Sequence, residues 1–122
     1  LGLKQLTPHP WKVLSEDFID RAGCPIVNIH HSFLPSFVGA KPDQMAYDRG
    51  VKLIGATSHF VTAELDQGPI IEQDVARVVA GASVQDMVKM GRDIEQRVFA
   101  RAMLKVLEHK AIVHKNRTII FN

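Results

Sequence analysis

Asn28 and His30 stand two residues apart at the end of the apolar run Pro25-Ile26-Val27, and Asp66 opens the turn-like stretch Asp66-Gln67-Gly68-Pro69. Side chains alternate across a strand, so an Asn and a His at that spacing project from one face with their tips roughly 6–7 Å apart. That separation suits one small substrate group. A second strand-like run, Leu53 to Thr62, precedes Asp66, and a loop at its end could carry the carboxylate to the same edge. An amide donor, an imidazole and a carboxylate converging there make an acyl-transfer site: two groups to bind a developing oxyanion and one to handle a proton.

Each of the three has a plainer reading when taken alone. Asn28 would close a strand-to-loop turn, His30 would be a packed or hydrogen-bonded core histidine, and Asp66 would be an ordinary turn aspartate. His31 should face away from His30 and pack or orient a neighbouring group. His59 falls inside a strand as a packing or hydrogen-bonding residue. A metal site is not expected, because His30 and His31 point to opposite faces and no Cys-x-x-Cys or His-x-x-x-His pairing supports them.

The elements that must position these groups follow from pattern. Leu1 to Pro10 reads as an extended or looping entry, with Pro8 and Pro10 around His9. Ser15 caps a short helix that reaches Arg21 and ends at Gly23. Pro25 to His30 is a strand, Ser32 to Gly39 a loop, and Pro42 opens a helix that stops at Gly50. Leu53 to Thr62 and Ile70 to Val79 read as strands, the latter with one face wetter than the other. Ser83 and Asp86 resemble a capping box, and Val84, Met87, Val88, Gly91, Ile94, Val98, Met103 and Leu107 follow near helical spacing, giving a helix of roughly 35 Å. Lys110 to His114 and Thr118 to Phe121 make a closing hairpin, with Asn116 tolerating the turn. Helices alternating with strands imply an α/β layer structure. A parallel sheet would need more neighbours than these strands supply, so part of it is expected to be missing or borrowed.

At 122 residues and 46% hydrophobic content the chain has room for one modest domain with a core. Fifteen Lys and Arg against thirteen Asp and Glu give no reason to expect nucleic acid or a membrane surface as partner. The single cysteine, Cys24, excludes an intramolecular disulfide and reads as a buried or half-buried reduced thiol. No apolar run approaches the roughly 20 residues of a membrane span, and no basic-then-apolar leader opens the chain. A cytoplasmic location is expected. The abrupt start at Leu1 reads as a fragment or processed piece of a longer chain.

Longer stretches carry more. The runs Asn28-Ile29-His30-His31-Ser32-Phe33-Leu34-Pro35, Gly39-Ala40-Lys41-Pro42 and Ile54 through Asp74 resemble the formyltransferase family that uses 10-formyltetrahydrofolate. The doubled histidine, Gly68-Pro69-Ile70-Ile71-Glu72-Gln73-Asp74 and the ending His114 to Phe121 most resemble its hydrolytic members. The likeness runs from about Val13 onward. It implies an α/β, Rossmann-like formyltransferase fold truncated at its amino-terminal side, with residues 1–122 the carboxyl-terminal part of one catalytic domain. An amino-terminal regulatory domain and the first half of the catalytic domain would be absent.

The same resemblance implies a catalytic trio of Asn28, His30 and Asp66. It places folate against Trp11, Lys12 and Leu14 and against the loop Thr62, Ala63, Glu64 and Leu65. No cofactor beyond the folate substrate is implied, and the expected partners are that folate and further copies of the full-length chain. Two departures stand out. Thr7 to Trp11 does not continue the strand usual ahead of Val13, and Asp43 replaces an aromatic often found after Lys41-Pro42, a position bearing on fit near the mouth of the site. The implied activity is hydrolysis of 10-formyltetrahydrofolate to formate and tetrahydrofolate. Alternatives are formyl transfer to an amine such as glycinamide ribonucleotide, and a catalytically silent folate-binding or oligomerisation piece.

Overall fold

A computed structural model describes residues 16–31, 42–64 and 67–122. Residues 16–22 are helical (α1), and Gly23 follows in the left-handed region at φ 69. Strand β1 covers Val27–His30, helix α2 Pro42–Arg49, β2 Leu53–Phe60, β3 Ile70–Arg77, helix α3 Val84–Leu107, β4 Ala111–His114 and β5 Arg117–Ile120. Among the described residues, β1, β2 and β3 form one sheet in that order and β4 and β5 a second.

All of these pairings are antiparallel. A helix between two strands can make a parallel crossover or an antiparallel return, and between β1 and β2 it makes the return. The stop of α2 shows how the return is made. Gly50 takes φ 65, its N–H donates to Tyr47 O at 3.0 Å, and the Val51 N–H donates to Ala46 O at 3.2 Å. These two bonds satisfy the last carbonyls of α2 and turn the chain back before β2 begins, a conformation that glycine adopts without a Cβ penalty.

The register sorts the sheet into two faces. Val27 lies opposite Phe60, Asn28 opposite His59, Ile29 opposite Ser58 and His30 opposite Thr57, while Thr57 lies opposite Gln73 and Ile54 opposite Ala76. Ile29, Ile54, Ala56 and Ala76 therefore share one face, and on it Ala56 packs with Ile94 and Val98 of α3 while Ile29, Ile54 and Ala76 pack around them. The buried residues of α3 are Met87, Gly91, Ile94, Val98 and Ala102, spaced three and four apart along one stripe. Asp74 on the same sheet face lies 3.5 Å from Arg97 and 3.3 Å from Arg101. The Val75 N–H, at 2.8 Å, and then the two guanidinium groups hold its carboxyl below the usual carboxylate range.

Helix α3 starts on the capping box that the sequence announces. The Asp86 N–H donates to Ser83 Oγ at 3.1 Å, and the Ser83 N–H donates to Asp86 Oδ2 at 3.0 Å. Its 24 residues give a rod about 36 Å long. The helix ends with His109 at φ 56, whose successor donates from its N–H to Lys105 O at 2.8 Å. In the closing hairpin it is Lys115, at φ 58, that takes the left-handed conformation, not Asn116. Cys24 is exposed, a second correction: it sits in a bend between left-handed Gly23 and Pro25, before the chain enters the sheet.

Candidate active site

Asn28 and His30 project from the sheet face opposite α3. Their directly opposite neighbours on β2 are His59 and Thr57, whose Cβ atoms lie about 4.5–5.5 Å away in such pairs. Thr57 is paired in turn with Gln73 on β3, and the Gln73 amide donates to Thr57 Oγ1 at 2.9 Å. One polar row therefore crosses all three strands: His30, Thr57, Gln73. Beside it runs the pair Asn28 and His59. Thr57 and His59 are buried, His30 is half-buried and Asn28 is exposed, so the row is anchored inside and opens at β1.

Hydrogen bonds to the backbone fix this edge. Ser58 Oγ donates to the carbonyl of Asn28 at 2.9 Å, holding the β1 backbone where Asn28 leaves it. His59 Nδ1 lies 2.8 Å from the carbonyl of Phe60, so that nitrogen carries the proton and the ring orientation is set. The chain after Asp66 is pinned to the same place. Gly68 and Pro69 are buried, and the Phe60 N–H donates to Pro69 O at 2.9 Å. A Cβ on Gly68 would stand 1.7 Å from Phe60 O and 3.3 Å from His59 Nδ1. Only a residue without a Cβ permits that approach, which brings Gln67–Pro69 alongside the end of β2.

Of the trio expected from the sequence, Asn28 and His30 are placed together on one face, and Asp66 lies outside the described residues. Of the expected folate contacts, Trp11, Lys12, Leu14 and Leu65 also lie outside them. Thr62 and Ala63 are half-buried and Glu64 is exposed beyond the end of β2, with Thr62 Oγ1 donating to Glu64 O at 3.2 Å. Sequence reasoning did not single out Thr57 or Gln73. The available signal was a run of three polar residues, Thr57, Ser58 and His59, inside a strand otherwise apolar or small.

His31 turns to the other face, as the alternation requires, and enters a three-residue ionic cluster. Its Nδ1 lies 2.6 Å from Glu95 Oε1 on α3, and its Nε2 lies 2.7 and 2.8 Å from the two carboxyl oxygens of Asp43 on α2. Carboxylates only accept, so both ring nitrogens donate and the ring is the imidazolium. The hydrogen bond to Glu95 is the largest cause of a pKa raised to about 9; partial burial opposes it, and the Asp43 hydrogen bond and the two negative charges add to it. Asp43, expected to bear on fit near the mouth of the site, thus holds the His31 ring. The carboxylates sit at opposite edges of the ring and do not converge on a common point. Consistently, no group of three or more His, Cys, Asp or Glu among the described residues is arranged to hold a metal.

Residues 8–103 match the model of a formyl transferase family, described as "Formyl transferase". This chain belongs to the formyl transferase family. It is 56% identical over 110 residues to the formyltetrahydrofolate deformylase of Mycobacterium tuberculosis, an overlap of 90% of this chain and 36% of that protein. The crystal structure of a formyltetrahydrofolate deformylase from Pseudomonas syringae superposes with a TM-score of 0.80 at 50% identity, covering 98% of this chain and 38% of that one. A phosphoribosylglycinamide formyltransferase from Anaplasma phagocytophilum gives a TM-score of 0.81 at 30% identity, covering 88% of this chain and 53% of that one. The chain thus spans little more than a third of the length of the deformylases it matches, and it has the α/β formyltransferase fold over that part. Among the described residues no helix is long and apolar enough to cross a membrane.

Proposed function

We propose that the protein carrying this chain hydrolyses 10-formyltetrahydrofolate to formate and tetrahydrofolate, with residues 1–122 as the carboxyl-terminal part of its catalytic domain. The observation that carries the reading is the coincidence of two things. Relatives more than half identical over nine-tenths of the chain bear the name formyltetrahydrofolate deformylase, and Asn28 and His30 share one face of β1.

Water adds its oxygen to the formyl carbon, the carbonyl oxygen takes up negative charge, and the bond from carbon to the folate nitrogen then breaks. One of the water's two protons ends on that nitrogen and the other is released to solvent, so the product leaves as formate. In this mechanism the Asn28 amide and the His30 ring donate to the developing oxyanion, where one well-placed donor lowers the barrier by about 3–4 kcal/mol. Asp66 orients and deprotonates the water, and its charge favours the protonated imidazole. Folate lies against Trp11, Lys12 and Leu14 and against Thr62 to Leu65. No cofactor beyond the folate substrate takes part. The reaction belongs to one-carbon metabolism and supplies formate for purine synthesis in the cytoplasm, and the full-length chain works as a homo-oligomer.

Formyl transfer to an amine is the second reading, supported by the phosphoribosylglycinamide formyltransferase of the same fold. The trio serves either chemistry, since only the nucleophile changes. Formate released from 10-formyltetrahydrofolate with no amine present supports hydrolysis; release only on adding an amine supports transfer. Asp66→Asn is expected to abolish turnover with little change in folate binding, and a wild-type rate in that variant would remove Asp66 from the mechanism.

A further inference from the structure

The doubled histidine joins two faces of the sheet at one peptide bond. His30 faces the open polar row, and His31 faces α3 and α2. Its ring is fixed on three sides: Glu95 at one nitrogen, Asp43 at the other, and Gly91 at the carbon between them. A Cβ on Gly91 would come within 2.5 Å of that carbon, Cε1, and within 3.2 Å of Nε2. Gly91 lies one turn before Glu95 on the same helix stripe, so glycine there makes the notch into which the ring is pulled. Glycine inside a helix is unfavourable by about 0.5–1 kcal/mol relative to alanine, and the notch gives it a reason to stand there.

We propose that His31, clamped by Asp43 and Glu95 in the Gly91 notch, is a positioning residue that fixes the end of β1 and thereby the height and orientation of Asn28 and His30 on the opposite face. The clamp ties three elements at one point. Strand β1 is short, four residues long, and among the described residues it pairs only with β2. The end of a four-residue strand frays more readily than its middle, and an anchored side chain just past its last residue opposes that motion. The charges acting on the His31 ring are Asp43 from α2 and Glu95 from α3, while its chain neighbour His30 faces the other way.

This inference rests on the proposed hydrolysis for its kinetic readout and carries a second readout that does not. In the native polypeptide, His31→Asn and Glu95→Gln are compared with wild type for formate release as a function of pH. A misplacement of reacting groups lowers kcat by about 10- to 100-fold, with KM for the folate changed less than about twofold. Wild-type kcat is expected to fall as pH rises through about 9, where the imidazolium is lost. In Glu95→Gln that fall moves to lower pH, because the strongest acceptor holding the proton is weakened. Packing alone would lower stability and leave the pH profile of kcat in place. The near-isosteric Glu95→Gln carries the test if His31→Asn does not fold. Independently of catalysis, the His30 ring resonance and the amide exchange of Asn28 to His30 are followed by NMR in the same proteins. Shifted His30 titration and exchange about tenfold faster in Glu95→Gln support the clamp. Wild-type kcat in His31→Asn, or a His30 resonance and exchange rates unchanged in Glu95→Gln, overturns it. If wild type releases no formate, the hydrolase reading falls and the NMR comparison alone decides the clamp.

Discussion

Replacing Gly91 with alanine should change sign with its surroundings. In an exposed helix interior the substitution stabilises by about 0.5–1 kcal/mol, because alanine loses less backbone freedom on folding. Here the added methyl stands 2.5 Å from His31 Cε1, well inside contact distance. The ring cannot swing aside without lengthening the 2.6 Å bond to Glu95 or the 2.7 Å bond to Asp43. The rise of the His31 pKa from 6.5 to about 9 gives the scale of what those bonds hold. At about 1.4 kcal/mol per tenfold it corresponds to about 3 kcal/mol of preference for the imidazolium in the folded state, and quarter-exposure of all three side chains lowers the net value to about 2 kcal/mol. Overpacking by one methyl adds a cost of about 1–3 kcal/mol, shared between ring displacement and helix shift. Gly91→Ala is therefore expected to destabilise the native polypeptide by about 2 kcal/mol. In a His31→Ala background the notch is empty, and the same change should stabilise by about 0.5–1 kcal/mol. Urea unfolding of the four proteins, compared at unchanged m, reads the difference directly. A coupling of about 2–3 kcal/mol far exceeds the roughly 0.5 kcal/mol scatter of independent sites. The same sign in both backgrounds would show that the ring does not occupy the notch.

Two further expectations follow from other contacts. The Gly68 Cβ position meets backbone, 1.7 Å from Phe60 O and 2.8 Å from Phe60 C, so nothing there can rotate away; Gly68→Ala should cost about 3 kcal/mol in urea unfolding, and a loss under about 1 kcal/mol would contradict the close approach. His31 also sets a pH dependence of stability. Its folded pKa is raised above 6.5, so the clamp's contribution is fully present below pH 6.5 and is lost as pH rises through about 9. Stability of the wild type should therefore fall between those values by about 2 kcal/mol more than that of His31→Asn, and parallel curves for the two proteins would refute the ionic clamp.

What could be read in advance was whatever depends on near neighbours in the chain. Alternation assigns Asn28 and His30 to one face and His31 to the other; the register confirms the first, and the contacts of His31 with α3 and α2 confirm the second. The capping box needed only Ser83 and Asp86 three residues apart. Gly50 announced the end of α2 because glycine takes the left-handed conformation required there without a Cβ penalty. Strand direction was not legible, since a strand, an eight-residue helix and a strand satisfy a parallel crossover and an antiparallel return equally well in sequence. The partners of His31 were invisible for a different reason: Asp43 and Glu95 lie 12 and 64 residues away, and nothing local marks a carboxylate as one that will meet a histidine. The one trace they left was Gly91, a glycine within an otherwise regular helical stripe.

That trace bears on why two histidines stand side by side. A side chain on the site face is only as well placed as the backbone beneath it, and the backbone of β1 is held from the other face. Ser58 Oγ grips the carbonyl of Asn28 at 2.9 Å, and the His31 ring grips α2 and α3 one residue beyond His30. An apolar residue at position 31 could fill the notch, but dispersion contacts are not directional and would let the strand end slide along the helix. Two charge-assisted hydrogen bonds at opposite edges of one planar ring fix its distance to α2 and to α3 separately. A strand end located by such a ring is set in two directions at once, which is what a pair of hydrogen-bond donors aimed at one oxyanion requires of the backbone that carries them.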